Sequence, residues 1–217
     1  MTELENAVDV DLSGFREVVR NPRAHALILQ QYRIGEWAGV VGLRRLLDEM
    51  RPEGKLHQAM EIHHRDEGRH SRVFTDWIYR LGIEPEPMPT EVEAFFSNSP
   101  EEFRRNRELV QQLPPDVRRI VTFAAINAVE RLAYNQFETH LRVLDRREDR
   151  EALEGVMAEE KFHLSYVEHE LARAQQGENG DVVTMAVEQA RQRFAEFSEN
   201  RRRESGAALE RILGGGA

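Results

Sequence analysis

Apolar residues along this chain recur at alternating spacings of three and four, the signature of helices that pack along one stripe. One series runs Leu29, Tyr32, Glu36, Gly39, Leu43, Leu46 and Met50, and a second runs Leu56, Met60, His63, Glu67, His70, Phe74, Trp77 and Leu81. A third runs Ile120, Phe123, Asn127, Glu130, Tyr134, Phe137, Leu141 and Leu144, and a fourth Leu153, Val156, Glu160, His163, Val167, Glu170 and Ala174. Each stripe is apolar at its ends and carries ionisable groups at its middle.

Punctuation between the stripes sets the expected helix limits. Asn21-Pro22 reads as an N-cap followed by a first-turn proline and predicts a helix over 22–50, weakened but not ended by Gly35, Gly39 and Gly42. "RPEG" at 51–54 is a turn before a second helix over 55–81. "GIEPEPMPT" at 82–90 is a proline-rich connection, and the segment after it is expected to hold one or two short helices. "PPD" at 114–116 opens a third long helix reaching to about 145, and "DRREDR" turns into a fourth over about 151–176. "GENG" at 177–180 separates a fifth over about 181–213, and the tail "GGGA" is expected to fray. The expected fold is all-α: an antiparallel four-helix bundle over about 22–176, with a long connection between its second and third helices and a C-terminal fifth helix, within one domain over 1–217.

Composition narrows the chemistry. The 217 residues include 30 Lys plus Arg and 39 Asp plus Glu, a net charge of −9 that disfavours a general nucleic-acid binder. With no cysteine there are no disulfides, thiolate metal sites, iron–sulfur clusters or catalytic thiols. "MTELENAVDVDLSG" lacks an apolar signal core and no apolar run approaches a membrane span, so a cytoplasmic protein is expected.

The middle of the stripes carries the candidate chemistry. Glu36, Glu67, Glu130 and Glu160 lie in line with core residues, and burying four carboxylates without partners is very costly. Two divalent cations balance them, with His70 and His163 adding neutral nitrogen donors. Three residues in a helix return side chains to one face, so Glu67-x-x-His70 and Glu160-x-x-His163 each place two donors within reach of one ion. Glu36 precedes Glu67 by 31 residues and Glu130 precedes Glu160 by 30, the matched separation that two helical hairpins need to bring partners to one level. One Glu and then Glu-x-x-His, twice over, is the pattern of carboxylate di-metal bundles.

These residues resemble the ferritin-like di-iron carboxylate superfamily, in its oxygenase and oxidase branch, over roughly residues 22–176. "DEGRH" at 66–70 is similar to the Asp-Glu-x-Arg-His motif of bacterial di-iron monooxygenases; "EEKFH" at 159–163 is a looser copy, with Phe162 in place of Arg. The chain's size is similar to that of aldehyde-deformylating oxygenase and of the tRNA-modifying di-iron hydroxylase. The resemblance implies that Glu67 and Glu160 bridge two metals, that Glu36 and His70 complete one ion, and that Glu130 and His163 complete the other. It makes Asp66 and Glu159 carboxylates that orient the histidines through their outer ring nitrogens, with plain solvated helix surface as the alternative.

Such a ligand set suits two Fe ions, with Mn or mixed Mn/Fe as alternatives, and leaves coordination positions open. The expected activity is that of a dioxygen-dependent oxidase or monooxygenase acting on a small organic substrate. Leu29, Phe74, Phe123, Phe137 and Val167 are expected to wall the site off from water. Electrons must come from a separate donor such as a ferredoxin or reductase, and a homodimer is expected. The competing functions are ferroxidase or iron storage, manganese catalase or peroxide scavenging, tRNA hydroxylation, and a nonenzymatic helical scaffold. The long crossover and fifth helix fit a storage cage poorly.

His63, four before Glu67, is read as a hydrogen-bonded or pocket histidine, with an extra ligand as the alternative; arylamine N-oxygenases of this kind carry an extra histidine, but in the fourth helix. Tyr134 and Tyr32, one turn from Glu130 and Glu36, are read as core tyrosines, with a redox-active phenol as the alternative. Asn127 and Glu170 are candidates for a buried polar network. Gly39 leaves space beside Glu36 for a cavity or for close helix packing. His64 is read as surface, and His25, His57, His140 and His169 receive no role. Arg201 to Arg203 read as a solvated face, and are the local feature that would suit an RNA partner.

Overall fold

The computed structural model describes residues 12–214, and among them the secondary structure is entirely helical. The proposed cap at Asn21 forms as expected: its Oδ1 accepts from the amides of Arg23 and Ala24 at 3.0 and 3.1 Å, and Pro22 starts the helix. This helix, α2 (Pro22–Met50), runs unbroken through its three glycines. It ends where Arg51 takes a left-handed conformation (φ 45°), and α3 (Gly54–Arg80) returns beside it.

After the proline-rich connection come a 3-10 turn (Val92–Phe96) and α4 (Pro100–Gln111), the latter capped by Ser99 Oγ accepting from the Glu102 amide at 3.1 Å. The second hairpin is α5 (Pro115–Leu141) with α6 (Arg147–Gln175), and α7 (Gly180–Leu213) follows.

Three boundaries differ from the sequence reading. A short helix, α1 (Ser13–Arg20), precedes the Asn21 cap; only Val18 in it is fully buried, and its eight residues are too few to show a readable stripe. The α5 helix stops at Leu141 rather than near 145, because Arg150 Nη1 donates to the Leu141 and Leu144 carbonyls at 2.8 and 3.4 Å and closes the turn. The α6 helix starts at Arg147 rather than near 151, with Glu148 and Asp149 in its first turn, where carboxylates are favoured by the helix dipole. Leu144 thus lies in the turn, yet it remains buried. The N-terminal acidic segment and the last three residues of the tail lie outside the described residues.

The hairpins meet through α3 and α6, while α7 lies along α5 and also touches α6 and α2. Apolar burial is divided in two. One core holds Leu43, Met60, Phe123, Val167, Ala190 and Phe194, so α7 contributes to it directly. The other holds Leu29, Phe74, Trp77, Ile78, Phe137 and Leu153. The ionisable middle of each stripe falls between these two cores. None of the described helices is long and apolar enough to cross a membrane.

Candidate metal centre

All six residues singled out as ligand candidates converge at this level. Two groups of donors form, each with its ligand atoms within 4.8 Å of one another: Glu36, Glu67, His70 and Glu160, and His63, Glu67, Glu130 and His163. Every member is buried, and His70 and His163 are fully so. Glu67 belongs to both groups.

The i, i+3 and i, i+4 spacings act here as helical geometry dictates. On α6, Glu160 Oε2 lies 3.0 Å from His163 Nδ1, while its Oε1 lies 3.0 Å from His70 Nδ1 across the helix interface. One carboxylate therefore faces one nitrogen of each Glu-x-x-His pair. Glu36 Oε2 lies 3.1 Å from His70 Nδ1. On α3, Glu67 Oε1 lies 3.1 Å from His63 Nε2 and 3.5 Å from His163 Nδ1.

His63 is the main departure in detail. Its Nε2 faces Glu67 and also Glu130, at 3.2 Å, and its ring stacks on His163 with centroids 3.7 Å apart and planes 20° apart. It is thus hydrogen-bonded, as the sequence reading favoured, and it also stands in the donor set. Its outer nitrogen, Nδ1, lies 2.8 Å from the Tyr166 hydroxyl. Tyr166 was missed from sequence, although it sits three residues after His163 and so on the same helix face. Burial, then Glu130 and Glu67, pushes its phenol well above the ordinary range, so it stays protonated.

The two outer carboxylates take crosswise places. Glu159, on α6, bonds His70 Nε2 on α3 at 2.7 Å. Asp66, on α3, approaches His163 Nε2 on α6 at 3.5 Å, and that nitrogen has no hydrogen bond. Arg69 bonds both, reaching Asp66 at 3.1 Å and pairing closely with Glu159. Both histidines therefore turn Nδ1 inward and Nε2 toward a carboxylate.

Gly39 is explained by Glu67. A Cβ there would lie 2.9 Å from the Glu67 Cδ and closer still to its Oε2, so the missing side chain makes room for the shared carboxylate. Asn127 is buried, its Oδ1 accepting from Arg131 Nε at 3.3 Å and its Nδ2 left without a partner. Glu170 pairs outward with Arg119 and Arg173 at 2.9 and 2.7 Å. The structure does not bring Tyr134 among the donors; it packs beside the Phe74 and Trp77 core. Tyr32 packs on Phe74 and Phe137, and burial raises its phenol pKa. Two histidines left without a role, His25 and His140, are buried and paired through their Nε2 atoms at 3.0 Å, with His140 stacked on Trp77.

Burial and mutual repulsion act together on the carboxylates of the donor set. Burial, reinforced by Glu36, Glu130 and Glu160, pushes Glu67 well above the usual carboxylate range. Burial and Glu160 raise Glu130 as well. Burial opposes the Glu160 anion, but hydrogen bonds from His163 and His70 outweigh it and hold its carboxyl at about 2. His70 shows the converse: burial disfavours its cation, yet Glu160 and Glu36 push it up to about 12. The cluster thus holds protons that divalent cations would displace.

A cavity of about 690 Å³ reaches this layer, with His63, Glu130 and Gly39 among its lining residues. No protein-family model, no curated protein and no solved structure matches this chain.

Proposed function

We propose that the chain is a dinuclear non-haem metal oxidoreductase of ferritin-like bundle architecture, using two Fe ions or an Mn/Fe pair to oxidise a small organic molecule with dioxygen. The observation that carries it is the pair of buried donor groups sharing Glu67. The donor chemistry fits: four carboxylates balance two divalent ions, and oxygen-rich sets with a few imidazoles suit iron and manganese. Glu36, His70, Glu67 and Glu160 would hold one ion; His63, Glu130, His163, Glu67 and Glu160 would hold the other. The ions would supply Lewis acidity and relay to dioxygen the electrons that a separate donor, such as a ferredoxin or reductase, provides.

The remaining roles belong to the chain. Glu159, tied through Arg69 to Asp66, orients His70, while Asp66 lies 3.5 Å from His163 Nε2 without a hydrogen bond. A ligating His63 presents the Nε2 lone pair inward, so its Nδ1–H donates to the Tyr166 oxygen, which fixes the tautomer. Phe74, Phe137, Phe123 and Val167, all buried in the flanking cores, exclude water from above and below. The cavity that ends at His63 and Glu130 favours an organic substrate over plain iron storage. The test is metal content after anaerobic loading with Fe(II), then dioxygen consumption by the loaded protein. Two iron ions per chain in wild type and a sharp loss in Glu67→Ala are expected. A wild type that retains neither iron nor manganese would refute the proposal.

A further inference from the structure

The lining of the cavity changes along α5. Near Glu130 it holds His63 and apolar residues such as Leu43, Leu46, Ile126 and Val129, and its outer part, near Arg118, holds arginines together with Glu49, Glu93 and Asp116. Along α5, Glu130 and Arg118 are twelve residues apart, an axial distance of about 18 Å at 1.5 Å per residue. The volume, about 690 Å³, suits a single mid-sized organic ligand.

The arginines of the outer part are not equivalent. Arg45 pairs with Glu93, Arg107 with Glu49 at 3.2 Å, Arg119 with Glu170 at 2.9 Å, and Arg193 approaches Glu102 at 3.7 Å. Arg118 has no carboxylate partner among the described residues. Its Nη2 donates to the Leu113 carbonyl at 3.3 Å, and its Nε is buried without a hydrogen bond. A buried guanidinium N–H left unpaired is costly, and a planar carboxylate matches its geometry. Arg45 also has a buried Nε without a hydrogen bond, although its Nη1 is paired.

We propose that this cavity binds an amphiphilic organic anion, with its carboxylate on Arg118 and its apolar body extending along α5 to His63 and Glu130. The binding mode stands on the cavity itself; that the bound molecule is the one oxidised rests on the dinuclear oxidoreductase reading above. The inner end of the body would then lie beside the His63–Glu130 side of the metal layer, and the anionic group would stay at the far end.

Decanoate and decanol separate the two halves of the proposal, since they share an apolar body and differ in charge. Each is titrated calorimetrically and anaerobically into the full chain, with and without Fe(II). Decanoate is expected to bind at least tenfold more tightly than decanol, and Arg118→Gln to abolish that preference while leaving decanol unchanged. A Cβ added at Gly42, a lining residue, meets nothing within 4 Å, so Gly42→Leu fills the cavity without a backbone clash. It is expected to weaken both ligands tenfold or more while the melting curve stays cooperative. Equal affinity of the two ligands for wild type, a preference retained in Arg118→Gln, or full binding by Gly42→Leu would each overturn the proposal. Metal content distinguishes the failures: two irons without an anion preference sinks the cavity proposal alone, and an anion preference in a chain that, once loaded, retains neither iron nor manganese sinks the dinuclear reading alone.

Discussion

Two glycines one turn apart on α2 have opposite surroundings. At Gly39 a Cβ meets the Glu67 carboxylate; at Gly42 it meets open space. Gly39→Ala is therefore expected to displace Glu67 and lower metal affinity tenfold or more, at least about 1.4 kcal/mol, measured by competition with a chelator. Gly42→Ala should leave metal binding intact and raise stability by about 1 kcal/mol, the helix-interior difference between the two residues, read from urea unfolding. The carboxylates behind the histidines act at the same scale. Glu159→Gln keeps the shape but weakens the acceptor for His70 Nε2. It is expected to lower metal affinity by about 10- to 100-fold, and His163, whose Nε2 lacks a hydrogen bond, gives the internal comparison.

Elements hold these residues by their ends and their contacts. The Asn21 cap satisfies two amides at the start of α2, twenty-nine residues long, which carries Glu36 and lines the cavity. Asn21→Ala should cost about 1 kcal/mol, seen as a lower melting temperature with unchanged metal stoichiometry, because the layer of buried donors lies several turns away. The contact between α2 and α5 at the opposite end from the cavity includes the His25–His140 pair. Burial lowers the first from 6.5 to about 4; burial and then His25 lower the second to about 3. Their folded pKa values lie below their unfolded ones, so the unfolded chain binds protons first as pH falls. Stability is then full above about pH 6.5 and is lost on acidification toward pH 4 and 3, at about 1.4 kcal/mol per pH unit for each histidine. His140→Asn should reduce the slope of unfolding free energy between pH 6 and 4.5 by about that amount, whatever its effect on the absolute value.

At the scale of the whole molecule, two apolar cores are joined through a layer of buried charge. Metal binding to the folded state alone should stabilise the chain by mass action, about 2.7 kcal/mol at a free ion concentration one hundred times Kd. Removing metal with a chelator should lower the melting temperature, and Glu67→Ala, which loses the residue common to both donor groups, should abolish that difference. The cavity is a property of this scale as well, since α2, α4, α5 and α7 all contribute to its lining.

The sequence by itself determined the long helices, because apolar spacing and caps such as Asn21 are local signals. It also determined that Glu36, Glu67, His70, Glu130, Glu160 and His163 face inward, because a residue's place in a 3.6-residue period decides its face before any partner is known. Only the tertiary structure decided what those faces meet. Whether His63 stands among the donors depends on Glu130 and Tyr166, both more than sixty residues away. The crosswise pairing of Glu159 with His70 and the approach of Asp66 to His163 depend on how α3 meets α6. The space at Gly39 admits a carboxylate because α3 places Glu67 against it, and the same glycine lines the cavity. The burial of His25 and His140 and the unpaired Arg118 likewise follow from packing between helices far apart in the chain, where residue spacing along one helix carries no information.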